Sequence, residues 1–194
     1  MNDGKSQRRE SAAAVAEKII VLRVNGDEHR MLVDPNWTLA EVLRDKLGLT
    51  GTKLACNDGA CGSCTVLCDG LPILSCMTLA IACEGLNILT IEGLSKDGRL
   101  DPLQESFAMP KHWLQCGICA PGMIMSAKAL LLKNPHPSDA EIVGALSANI
   151  CRCGNYIRAI KAVKYVAEEG ASEDAISGLD PETKVASSRA IALP

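Results

Sequence analysis

The segment Gly51-Thr-Lys-Leu-Ala-Cys56-Asn-Asp-Gly-Ala-Cys61-Gly-Ser-Cys64-Thr-Val66 sets three cysteines at the spacing C-x4-C-x2-C. Followed by a more distant cysteine, that is the plant-type spacing for a [2Fe–2S] cluster. The reason is steric: two irons sharing two sulfides need four thiolates converging from one side of a tight loop. Gly59 and Gly62 supply positions where the backbone can take φ > 0 and turn amides toward the cluster sulfurs. Such N–H donors raise the reduction potential by stabilising the added negative charge. The fourth ligand has to come from the chain that follows, and Cys76 is the candidate. Cys68 falls mid-strand and Cys83 lies further along, and either fits an ordinary buried thiol.

The chain on either side of this loop reads as a small mixed sheet around one helix. Ile19–Val24 and His29–Val33 are apolar runs separated by Asn25-Gly26, a strong hairpin signal, with the loop length left open. Thr38-Leu39-Ala40-Glu41 is a capping box, and Leu39, Val42, Leu43 and Leu47 form one helical stripe stopped by Gly48. Thr65–Leu74 predicts a second hairpin turning at Asp69-Gly70, and Asn87–Ile91 a last strand. Residues 94–100 have linker composition. Beyond them the pattern is helical. Asp101-Pro102 opens one helix with Pro at its first position, and Met123–Lys133 is a second. The capping box Ser138-Asp139-Ala140-Glu141 opens a third, and Asn155 caps a fourth carrying Ile157, Ile160, Ala162, Val163 and Val166. The expected organisation is an arm over 1–16, a β-rich domain over 17–93, a linker over 94–100, a helical domain over 101–167 and a tail over 168–194.

The helical part carries its own cysteines: Cys116-x2-Cys119 and, after 31 intervening residues, Cys151-x-Cys153. Helix termini can bring two such pairs to opposite sides of one site. On spacing alone, four thiolates there suit either a [2Fe–2S] cluster or a tetrahedral zinc.

Composition narrows the remaining classes. The chain has 194 residues, room for one domain or two small ones, with 47% apolar but only 3% aromatic residues. Small cores so poor in large side chains need a further source of stability, and ten cysteines are the obvious one. A net charge of −3 excludes a strongly basic nucleic-acid binder. No apolar run approaches the roughly 18 residues of a membrane span. Arg8-Arg9 raises the question of a twin-arginine signal, but only Ala12–Ala16 is uncharged and apolar before Glu17, too short for a signal core. The expected location is therefore cytoplasmic, where clustered cysteines bind metal or do redox work rather than form disulfides.

Read together, Gly51–Val66, Gln115-Cys116-Gly-Ile-Cys119-Ala-Pro-Gly-Met123 and Asn149-Ile-Cys151-Arg-Cys153-Gly-Asn-Tyr156 occur in an order that resembles the small iron–sulfur subunit of the molybdenum hydroxylases, the xanthine dehydrogenase and carbon monoxide dehydrogenase family. The resemblance covers roughly residues 17–167. It implies an α+β architecture: an N-terminal plant-ferredoxin-like β-grasp domain, then an all-α four-helix [2Fe–2S]-binding domain. It implies that Cys56, Cys61, Cys64 and Cys76 hold one cluster and Cys116, Cys119, Cys151 and Cys153 the second. It implies further that Gln115 hydrogen-bonds a pterin, a task its carboxamide suits by both donating and accepting, and that the pterin approaches at Cys153. The implied partners are a large molybdopterin-binding catalytic subunit and an FAD-binding medium subunit, and the implied role is electron transfer between them. Two departures from the family pattern stand out. Ile118 and Ala120 replace Phe and Thr, and Gly154-Asn155 replaces Thr-Gly before Tyr156. No ligand is lost, but the polar surroundings of the second cluster, and so its potential, are altered.

The other polar residues carry blander readings. No Ser/His/Asp or paired-carboxylate arrangement suits catalysis in this chain, so no catalytic residue is expected. Arg152 either screens two thiolates or pairs with a partner. Arg158, Lys161 and Lys164 read as a solvated face, His29, His112 and His136 lack ligand partners, and Trp113 is expected to pack at an interface. A free-standing carrier would need one cluster and no helical domain, and a zinc-stabilised regulator would show a basic recognition helix. The substrate of the complex is not legible here.

Overall fold

A computed structural model describes residues 17–112 and 114–169. The arm over 1–16, Trp113 and the chain from 170 onward lie outside the described residues. The architecture is α+β: a five-stranded mixed sheet and a set of short helices. No helix among the described residues is long and apolar enough to cross a membrane.

Strands β1 (Lys18–Val24) and β2 (Asp27–Val33) form the first hairpin. Its turn is the two-residue Asn25-Gly26, both with positive φ (55° and 94°), the geometry that matches the twist of the flanking strands. So β2 begins at Asp27, two residues before the apolar run suggests, because a tight turn lets polar Asp27 and Glu28 pair across the ladder. Strands β3 (Thr65–Cys68) and β4 (Leu71–Leu74) make the second hairpin about Asp69-Gly70. Strand β5 (Asn87–Leu89) closes the sheet between them, parallel to β1 and antiparallel to β3, giving the order β2-β1-β5-β3-β4. It ends at Leu89 rather than Ile91, where a short 3-10 turn over Glu92–Leu94 takes over.

Helix α1 (Leu39–Glu41) carries the expected capping box: Thr38 Oγ1 accepts from the Glu41 amide and Glu41 accepts from the Thr38 amide at 2.7 Å. It widens into a π-helical turn over Val42–Lys46 before Gly48 stops it at φ 69°. Leu39, Val42 and Leu43 pack with Ile20, Leu22 and Val24 of β1 in the sheet core.

The helical part contains α2 (Pro102–Ala108), α3 (Ala120–Lys133), α4 (Asp139–Leu146) and α5 (Tyr156–Glu169). Helix α3 begins three residues earlier than its apolar pattern indicates. Pro121 sits in the first turn, where its missing N–H costs nothing. His112 is a core residue: its Nδ1 lies 3.0 Å from the Ser106 carbonyl and its ring meets Tyr165 edge-on. Lys164 pairs with Asp139 at 2.7 Å, an exposed tie between α5 and α4 on the solvated face.

Strand β3 is buried at every position, and its alternation shows why. Val66 and Cys68 face the sheet core, while Leu67 points the other way and joins Met123, Phe107 and Ala127 in the helical core. The sheet is the floor on which the helices rest.

Candidate metal centres

The loop between the π-turn and β3 carries the first thiols. Its conformation depends on residues with positive φ at Asn57 (56°), Gly59 (82°) and Gly62 (69°). Cys56 and Cys61 lie in hydrogen-bonding contact through their side chains, and Cys64 contacts Cys76 in the same way. Cys76 is delivered by the 3-10 turn Ser75–Met77 that follows β4, held by Ser75 Oγ donating to the Cys64 carbonyl at 2.7 Å. The Asp58 amide reaches Cys56 Sγ at 3.5 Å.

The second set is built from helix ends. Cys119 sits at the N-terminus of α3, and Cys151 and Cys153 lie on the turn between α4 and α5. Cys116 and Cys153 have sulfurs 3.5 Å apart, and Cys119 and Cys151 are in side-chain contact. The Asn155 amide donates to Cys151 Sγ at 3.3 Å, and the Cys151 amide donates to the Tyr156 hydroxyl at 2.9 Å. Gln115 is exposed beside Cys116, with Nε2 at 3.5 Å from the Cys153 carbonyl.

Thiol acidity differs by position. Burial raises the Cys61 thiol, but the Ser63 hydroxyl and amide and Cys56 outweigh it and bring it down to about 7. Burial, then the neighbouring Cys64, pushes Cys76 up to about 11. Burial and Cys151 push Cys119 up to about 12. Exposed Cys116 is lowered by the Ile118 amide and then Cys153. Each set thus mixes thiols that release a proton readily with thiols that do so only against a bound cation.

Both sets have the same form: two close pairs rather than one tight quartet. Among the described residues no group of three or more His, Cys, Asp or Glu side chains closes around the position of a single ion. A tetrahedral zinc asks for four sulfurs each about 2.3 Å from one point. A two-iron cluster instead takes two thiolates at each iron, so paired thiols are the donor arrangement it fits. Cys68 and Cys83 stand apart from both sets, buried in side-chain contact with each other in the sheet core.

The two sets are joined directly. The Ile150 amide donates to the Cys61 carbonyl at 2.9 Å, and Asn149 Nδ2 donates to the Gly62 carbonyl at 2.9 Å. Cysteine spacing gives no hint of this seam. The one available signal is that Asn149-Ile150 immediately precedes the C-x-C pair.

Comparison with known proteins finds iron–sulfur families along both parts of the chain. Residues 22–81 match a family described as a 2Fe-2S iron-sulfur cluster binding domain, and residues 90–164 one described as a [2Fe-2S] binding domain. The chain is 44% identical over 153 residues to the nicotinate dehydrogenase small FeS subunit of Eubacterium barkeri, spanning 79% of this chain and 97% of that one. It superposes on a chain of quinoline 2-oxidoreductase from Pseudomonas putida 86 with a TM-score of 0.73 at 44% identity, covering 79% of this chain and 98% of that one. Against the aldehyde oxidoreductase of Desulfovibrio desulfuricans ATCC 27774 the TM-score is 0.72 at 40% identity, covering 77% of this chain but 17% of that much longer one.

Proposed function

Because the chain belongs to the small iron–sulfur subunits of the molybdenum hydroxylase family, we propose that it is the electron relay of a heteromeric molybdenum-dependent hydroxylase or dehydrogenase. In this reading it carries single electrons from the molybdopterin centre of a large subunit to an FAD subunit or another acceptor. The observation that carries it is the presence of two four-thiol sets, each in two close pairs, bonded to each other across one seam. Support for a large partner comes from the aldehyde oxidoreductase, where the matching stretch is a small part of a longer chain.

We read residues 17–93 as a ferredoxin-like β-grasp domain and residues 101–167 as a four-helix domain, joined by the linker 94–100. Cys56, Cys61, Cys64 and Cys76 would hold one [2Fe–2S] cluster, and Cys116, Cys119, Cys151 and Cys153 the other. When bound, such clusters accept and release one electron at a time, which divides a two-electron oxidation into single steps. The protein supplies placement and tuning. The Asp58 and Asn155 amides aimed at ligand sulfurs stabilise added negative charge and so favour the reduced state. Exposed Gln115 offers a carboxamide beside the second set, suited to the edge of a partner's pterin, with Cys153 the ligand nearest that approach.

The test is iron and acid-labile sulfide per chain in the anaerobically purified complex, with electron paramagnetic resonance after dithionite reduction. Four irons, four sulfides and two distinct rhombic signals are expected. Two irons with one zinc would make the helical site structural and overturn the relay.

A further inference from the structure

The seam between the two thiol sets contains a side chain that no ligand role explains. Asn149 is 1% exposed, its Nδ2 donates to the Gly62 carbonyl at 2.9 Å, and its Oδ1 has no partner among the described residues. A buried carboxamide with one half unpaired is unfavourable. An apolar side chain of similar size would avoid that cost, so what the carboxamide contributes is its donor to Gly62.

Three segments cross at that donor, and each carries thiols of the candidate centres. One is the Cys61-Gly62-Ser63-Cys64 loop, the second is the first turn of α3 just after Cys119, and the third is Ala148-Asn149-Ile150 just before Cys151. Their approach is closer than any side chain allows. A Cβ at Gly62 would run into the Ala148 carbonyl oxygen and come within 2.6 Å of Asn149 Nδ2. A Cβ at Gly122 would run into the Gly62 carbonyl oxygen and come within 3.0 Å of Ser63 Cα and 3.1 Å of Asn149 Nδ2. The neighbouring bond from the Ile150 amide to the Cys61 carbonyl is made by backbone alone. The side chain of residue 149 takes no part in it, so variants there act on the side chain's own contact.

We propose that Asn149 is a positioning residue that sets the distance and orientation between the two clusters, by pinning the loop of the first ligand set to the two segments that hold the second. This rests on the electron-relay reading above. The side chain touches neither set of sulfurs in this role; it acts through Gly62 and the ligands on either side of it.

The experiment compares wild type, N149L and N149A in the full chain, purified anaerobically with its partners. N149L keeps the approximate volume but has no donor for the Gly62 carbonyl; N149A removes the group. Iron and sulfide per chain, the reduced-state signal of each cluster, and the spin–spin interaction between the two clusters are read for each. The expected result is four irons and both individual signals in all three proteins, with the spin–spin interaction altered in N149L as well as in N149A. An interaction unchanged in N149L overturns the proposal, because a residue that merely fills space is replaced by an apolar side chain of similar size without effect. Loss of iron from N149L also overturns it, because a positioning contact leaves both ligand sets intact. Wild type without two cluster signals would instead overturn the electron-relay reading, and this proposal with it.

Discussion

Cys61 shows how a single residue's surroundings decide its chemistry. In the metal-free chain its thiol is held near 7 by Ser63 and Cys56 against the opposing effect of burial. Cys76 and Cys119 are held up at about 11 and 12. The thiolate is the reactive form, so its population at Cys61 grows as pH rises through about 7, while Cys76 and Cys119 stay protonated across the neutral range. Brief alkylation of the iron-depleted chain between pH 6 and 8, followed by peptide mapping, should label Cys61 well before Cys76 or Cys119, with a rate rising several-fold across that window. Equal labelling of the three would contradict the assignment. At this scale the sequence was most legible for candidate ligands that lie close along the chain, since C-x4-C-x2-C and C-x2-C announce themselves. Which thiol stands beside which was not legible, because Cys64 meets Cys76 and Cys116 meets Cys153 only after a hairpin and two helices have formed. Asn149 gave no signal either, as its importance lies in what crosses it.

Elements were readable where a side chain closes a local loop. The capping boxes at Thr38 and Ser138 stand in the structure as their sequences indicate. The π-turn after α1 and the early start of α3 were hidden, since both are set by tertiary packing and by the tolerance of a first turn for proline. A longer-range tie was hidden as well. Lys128 of α3 is buried against Asp101 at 2.7 Å, both side chains about 8% exposed, and Asp101 also caps α2 by accepting from the Leu103 amide at 2.9 Å. One carboxylate therefore ends a helix and neutralises a cation on another. Lys128→Ala leaves it buried without its cation, a change that costs about 3–5 kcal/mol when nothing else compensates. The retained bond from Leu103 places the expected loss at the lower end of that range. Chemical denaturation of the iron-loaded variant measures it, and an unchanged midpoint would show the pair to be dispensable.

Among the described residues the sheet and the helices each build a large core, yet the two are not independent. The apolar pattern suggests a β-rich stretch followed by a helical one, and the structure is α+β, a mixed sheet with several helices. What pattern could not show is that β3 serves both cores or that Gly62, Gly122 and Asn149 interlock, because contacts between distant segments leave no period in the sequence. Gly122→Ala tests that interlock. Its φ is ordinary for a helix, so the new methyl adds no backbone strain, but it meets the rigid backbone of Gly62 and Ser63. Overpacking of this kind costs about 1–3 kcal/mol. Hydrogen exchange should quicken in the Cys61–Cys64 loop of the variant, although the substitution lies in the helical half. Protection unchanged in that loop would mean the halves move apart freely.

Leu67 carries a consequence for the order in which the protein is made. The strand that bears it is complete before the ribosome has begun α2, and the helical core closes only on a surface that includes Leu67. The nascent sheet is thus a template awaiting its cover. Order of synthesis and order of packing thus coincide: the N-terminal half is made first, and the helices cover its Leu67 face afterwards.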